Sequence, residues 1–130
     1  MSAPGASATI VDALLASILN GTAFTTYTNP YVQLHTGDPG SAGTSNVAGE
    51  STREQAAGTF TISGGSTTNP DAISWTDVST AETYSYVSLW SLATGGTFLA
   101  SGTITANAVG VGDNFTIPIG DMTISMPVAS

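Results

Sequence analysis

Apolar positions along this chain change their spacing once. Over residues 7–20, Ile10, Val11, Leu14, Leu15, Ile18 and Leu19 recur at intervals of three and four, which predicts one amphipathic helix. Thr9 and Asp12 have capping-box spacing with Asp in place of the usual Glu, and Asn20-Gly21 predicts the stop. So short a helix is marginal alone in water, so its apolar stripe is expected to pack on the chain's own sheet or on another subunit.

Beyond the helix the period is two. Residues 31–35 place Val32 and Leu34 on one face, 59–63 pair Phe60 with Ile62, and 72–76 pair Ile73 with Trp75. Residues 84–92 carry Tyr84, Tyr86, Ser88 and Trp90 on one face and Val87 and Leu89 on the other, the pattern of a central strand covered on both sides. Further strands are expected at 97–104, 114–119 and 121–128, punctuated by Thr94-Gly95-Gly96, Gly112-Asp113 and Gly120-Asp121. Pro118 and Pro127 fall inside the last two and belong at edges or bulges, because proline cannot donate to a ladder. Seven short strands separated by turn residues predict a mainly β fold, an antiparallel β-sandwich or jelly roll with one short N-terminal α-helix.

One stretch has no period. Residues 36–56 form a long loop that opens on the turn Asp38-Pro39-Gly40, and patternless loops of that length are usually functional or mobile. The reading is therefore a single β-sandwich domain over 1–130, with an N-terminal arm and helix over 1–21 and the loop at 36–56.

Composition narrows the function. Of 130 residues 41% are apolar, enough to fill one core, but only 8% are charged and the formal net charge is −8. Arg53 is the only Lys or Arg residue, so no basic face exists to neutralise phosphates, and neither nucleic acid nor an anionic membrane is an expected partner. The absence of cysteine excludes disulfides, thiolate nucleophiles and cysteine-based zinc sites. The apolar run from Ile10 to Leu19 is too short to span a bilayer and lacks the basic flank of a secretory signal.

Candidate chemistry is sparse. His35 is the single histidine, with Asp38 across a turn, but no Gly-x-Ser-x-Gly elbow accompanies them, so His35 is expected to be structural and the chain not to be an enzyme. Nine acids scattered singly match no Ca²⁺-loop pattern, so neither metal nor cofactor is expected. Arg53, between Glu50 and Glu54, reads either as a local ion pair or as an inter-subunit contact. Tyr84, Tyr86 and Trp90 form a stripe that could stack on sugars, although such stripes more often line a core or an interface.

Several blocks recur together: Tyr31-Val32-Gln33-Leu34-His35-Thr36-Gly37-Asp38-Pro39-Gly40, then Val87-Ser88-Leu89-Trp90, then Gly112-Asp113-Asn114-Phe115-Thr116-Ile117-Pro118 and Gly120-Asp121-Met122-Thr123-Ile124. In these the chain resembles small structural proteins of tailed bacteriophages, many infecting actinobacteria, that share a Leu-His-Thr-x-Asp-Pro-Gly block and are described as minor capsid, head decoration or tail-fibre-like proteins. The resemblance implies a virion structural protein made in the host cytoplasm. Its preferred place is the outer surface of the capsid, as a cementing protein bound to the major capsid protein and to copies of itself, expected as a trimer. Leu14, Ile18, Asp38, Pro39 and Arg53 are the expected subunit or capsid contacts. The alternative is a tail-associated fibre-like module that binds host surface glycans through Tyr84, Tyr86 and Trp90.

Overall fold

The computed structural model describes residues 3–129, so the first two residues of the expected arm and the last residue of the domain lie outside the described residues. One helix, α1 (Ala8–Asn20), precedes eight strands: β1 (Tyr31–His35), β2 (Glu54–Gln55), β3 (Ser66–Thr68), β4 (Ile73–Trp75), β5 (Glu82–Trp90), β6 (Phe98–Val109), β7 (Phe115–Ile117) and β8 (Thr123–Ser125). Six strands form one sheet in the order β2-β1-β5-β6-β8-β3, and β4 pairs with β7 in a two-stranded ribbon. Every pairing is antiparallel. The chain is mainly β with one short helix, as its spacing predicts.

Alternation on β1, β5 and β6 sends Val32, Leu34, Val87, Leu89, Ala100 and Ile104 to one face of the large sheet, where they join Ile73, Trp75, Phe115 and Ile117 in a single buried cluster. Phe115 is its hinge point: its ring centroid lies 5.9 Å from that of Trp75 and 5.0 Å from that of Tyr84. The central position expected for the Tyr84–Trp90 stretch is observed, with β5 between β1 and β6. Asn69, fully buried, ties the ribbon's end to the sheet: its Nδ2 donates to the carbonyls of Asp71 and Pro118, and its Oδ1 accepts from the Met122 N–H at 2.8 Å.

Three expectations need correction. Residues 59–63 form no strand; Phe60 packs against the core but Ile62 is 70% exposed. Gly64-Gly65, at φ 61° and 76°, turns the chain there, and Ser66–Thr68 supplies the strand that pairs with β8. The helix starts at Ser7 rather than at Thr9, since the Ser7 hydroxyl accepts from the Ile10 N–H at 3.2 Å. Ser7 occupies this place because residues 5–7 are anchored first: the Ser7 N–H donates to Leu99 O and the Ser101 N–H to Gly5 O along the edge of β6. Both prolines sit just past the ends of β7 and β8 rather than within them, where no ladder hydrogen bond is asked of them.

Candidate functional site

The second face of the large sheet is polar, and residues 36–53 roof it. Within that roof Asp38 Oδ1 accepts from the Gly40 N–H at 2.8 Å, Asn46 Nδ2 donates to Asp38 O, and the Ser45 N–H donates to Pro39 O. Gly43 lies directly on the Phe98 ring; a Cβ there would stand 2.6 Å from Phe98 Cδ1, and φ is 73°, so only glycine fits. The stretch expected as a patternless loop thus has its own turn chemistry, and its last residues form β2 against β1.

Beneath the roof runs a chain of hydrogen bonds. His35 Nδ1–H donates to the Ser45 carbonyl at 2.8 Å, which leaves Nε2 as the acceptor for the Ser88 hydroxyl at 2.7 Å. Ser88 Oγ in turn accepts from Trp90 Nε1–H at 2.8 Å. Each polar atom is satisfied only with a neutral imidazole, and burial lowers the His35 pKa from 6.5, outweighing the raising effects of the backbone carbonyls and of Asp38. A Ser–His pair at this distance has the spacing of a nucleophile and its base, but Ser88 is 0% exposed and its oxygen already holds the indole N–H. It is a strut between β1 and β5.

Arg53 closes the edge of this face. Its guanidinium carbon sits 4.2 Å above the Trp90 ring, and its N–H groups donate to Gln33 Oε1 and to the carbonyls of Leu92 and Gly95. Partial burial lowers its pKa, but a guanidinium stays charged throughout the physiological range. Glu50 and Glu54, expected as its ion-pair partners, accept none of these bonds. Glu50 caps the Ser79 and Thr52 N–H groups, and Glu82 those of Gly49 and Glu50.

The aromatic stripe does not exist as a surface. A register shift between Tyr84 and Tyr86, where β6 carries two extra residues between Thr103 and Asn107, turns Tyr84 into the core. Tyr84 is 0% exposed, and its hydroxyl has no hydrogen-bond partner; burial, with Glu82 and Glu50 nearby, pushes its pKa up to about 12. Trp90 lies between Arg53 and Phe98, the two rings 5.4 Å apart, and Tyr86 is half-buried. Pro39 is fully buried, and the half-buried Asp38 uses its Oδ1 to accept from the Gly40 N–H within the turn. Tyr84, Trp90, Pro39 and Asp38 thus make contacts within the fold. Leu14 is half-buried and Ile18 is 75% exposed, so of the expected contacts the helix alone presents apolar surface.

Sequence reasoning passed over an open groove of about 320 Å³ between β6 and β7. Thr105, Asn107, Asn114, Thr116 and Asp121 supply its polar atoms, and Phe115 and Pro118 its apolar floor. Asp121 is held by the Thr105 N–H and hydroxyl, and Asn114 Oδ1 accepts from the Asp77 N–H, which leaves Asn114 Nδ2 free to donate. The signal was present as closely spaced Asn and Asp residues, which turn chemistry alone accounted for. Among the described residues no group of three His, Asp or Glu side chains could hold a metal ion, and no helix is long and apolar enough to cross a membrane.

Residues 5–125 match the protein family described as podophage GP4 fiber I protein gp80. No curated protein matches the chain.

Proposed function

The chain belongs to the podophage fiber I protein family and is a virion structural protein, and from that premise we propose that it is a tail-fibre-like module whose host-facing contact is a neutral glycan. The carrying observation is the family match across 121 residues, from 5 to 125, which favours a fibre over the capsid-decoration reading drawn from the Leu34–Gly40 block. Attachment to the major capsid protein becomes the second reading.

With the Tyr84 and Trp90 rings buried, the glycan contact is placed instead at the groove between β6 and β7. Amide donors at Asn107 and Asn114 and a preorganised Asp121 carboxylate are the groups that bind sugar hydroxyls, and the absence of a cation from the lining disfavours acidic sugars. Its volume of about 320 Å³ lies at the lower end of the ligand-pocket range, ~300–1,000 Å³.

Gold-labelled antibody on intact particles tests the location: label on the tail supports the fibre reading, and label spread over the head overturns it in favour of decoration. For the groove, ¹⁵N chemical shifts of the full chain are followed against glucose, galactose, rhamnose and N-acetylglucosamine. Saturable shifts at 105–107 and 114–116 that Asn107→Ala removes support the site; silence across the panel refutes it.

A further inference from the structure

Between the end of α1 and the start of β1 the chain has no secondary structure and is pinned only at its ends. At one end the Thr22 N–H donates to Ala16 O; at the other the Ala56 N–H donates to Pro30 O and Gln55 Nε2 to Asn29 O. Residues 23–28 make no backbone hydrogen bond to any of the described residues, and all of them but Phe24 are exposed. Two aromatic residues stand in this stretch, Phe24 and Tyr27, their rings edge-on with centroids 6.5 Å apart. Tyr27 is the more open of the two, at 39%. A segment whose backbone is bonded to nothing can straighten in a protease cleft while the rest of the fold stays closed.

Elsewhere the bonds that common digestive specificities recognise are held. Arg53 is the only Lys or Arg residue; its guanidinium lies on Trp90, and Glu54 beyond the scissile bond pairs with Val32 in the ladder of β1 and β2. Phe60 packs against the core. Leu92 is 55% exposed, but its carbonyl, the one a protease would attack, accepts from Arg53 Nη1 at 3.0 Å. The remaining Phe, Tyr, Trp and Leu residues lie in α1 or in strands, where backbone hydrogen bonds resist the extended conformation a cleft requires.

We propose that residues 23–28 are a cleavage site for a protease with an aromatic specificity pocket, which cuts after Tyr27 and then after Phe24. The step is hydrolysis alone: water adds across the Tyr27–Thr28 amide, its hydroxyl going to the Tyr27 carbonyl carbon and its proton to the Thr28 nitrogen as the C–N bond breaks. The consequence follows from where the core sits. The buried apolar cluster begins at Val32 and takes no residue from the helix or the arm, so residues 28–130 keep the sheet and the ribbon. The piece cut away is held by the Ser7 N–H to Leu99 O, the Ser101 N–H to Gly5 O, the Gly5 N–H to Ser101 Oγ and the half-buried Ile10 and Leu14. Cleavage therefore turns the arm and helix from a covalent part of the molecule into one that leaves by dissociation. None of this depends on the fibre reading.

Limited digestion of the folded full chain, followed by intact mass spectrometry, tests it. Chymotrypsin should first give residues 28–130, then 25–130, and stop there, while trypsin under the same conditions leaves the chain whole. Phe24→Ser combined with Tyr27→Ser should keep the wild-type circular dichroism and slow the first cut by at least about 10-fold. Ile117→Val trims a fully buried side chain and destabilises the whole fold, yet should leave the rate of the first cut unchanged, because that cut needs no global opening. A first cut outside residues 23–28, a rate indifferent to the double substitution, or a several-fold faster cut in Ile117→Val overturns the proposal.

Discussion

Helix α1 and strand β5 both carry regular apolar patterns, yet the chain buries one and leaves most of the other exposed. Val87 and Leu89 of β5 are 0% and 7% exposed, whereas Ile18 and Leu19 of α1 are 75% and 73% exposed. Periodicity therefore reports that a face is meant to be covered, not what covers it. The sheet finds its cover inside the chain, with the ribbon on one side and the loop roof on the other. The helix, joined to the sheet edge through residues 5–7, half-buries Ile10 and Leu14 but leaves Leu15, Ile18 and Leu19 exposed, and that surplus is what a virion subunit would offer a neighbour.

The largest expected contrast is in stability. Leu34→Ala removes a fully buried side chain and should cost about 2–5 kcal/mol in urea unfolding of the dilute chain. Ile18→Ala should stay within about 0.5 kcal/mol of wild type under the same conditions. Equal losses would erase the distinction between the two patterns.

The polar face should respond next. Ser88→Ala strips the Trp90 N–H of its acceptor and His35 Nε2 of its donor, and should cost about 1–3 kcal/mol for each orphaned group. Urea midpoints on the variant check this, and a loss no greater than that of an exposed Ser→Ala change such as Ser85→Ala would mean that the relay is idle.

A pH dependence of smaller size follows from His35. Its folded pKa is lowered below 6.5, so between the two values the unfolded chain binds the extra proton. The contribution is fully present above 6.5 and is lost as pH falls toward the folded value, at no more than about 1.4 kcal/mol per pH unit. Unfolding free energies measured between about pH 5 and 7 should fall with acid in the wild type and flatten in His35→Gln. A wild-type slope of opposite sign would contradict the neutral imidazole.

Tyr84→Phe should have the smallest effect. It deletes a buried hydroxyl that bonds to nothing and should be neutral or stabilising by up to about 1 kcal/mol, read as a melting temperature.

What the sequence made legible divides along the same line. Period-two alternation located β1, β4, β5, β7, the start of β6 and the segment that holds β8. It failed at Tyr84, since a bulge belongs to a pair of strands and leaves no mark on one of them. It failed at residues 59–63, where Phe60 and Ile62 mimic a strand but paired glycines turn the chain. The loop roof was visible only as Asp38-Pro39-Gly40. Its purpose depends on Gly43 meeting Phe98 and on Arg53 meeting Trp90, contacts far apart in the sequence. In sequence Ser88 is one polar position in an aromatic stripe, and nothing nearby marks it as the partner of His35.

Amide hydrogen exchange compared between α1 and β5 at low and high protein concentration tests the central claim most directly. The account predicts β5 amides protected at both concentrations and α1 amides protected far less than those of β5 in the dilute chain. Helix amides as protected as those of β5 in the dilute chain would contradict it.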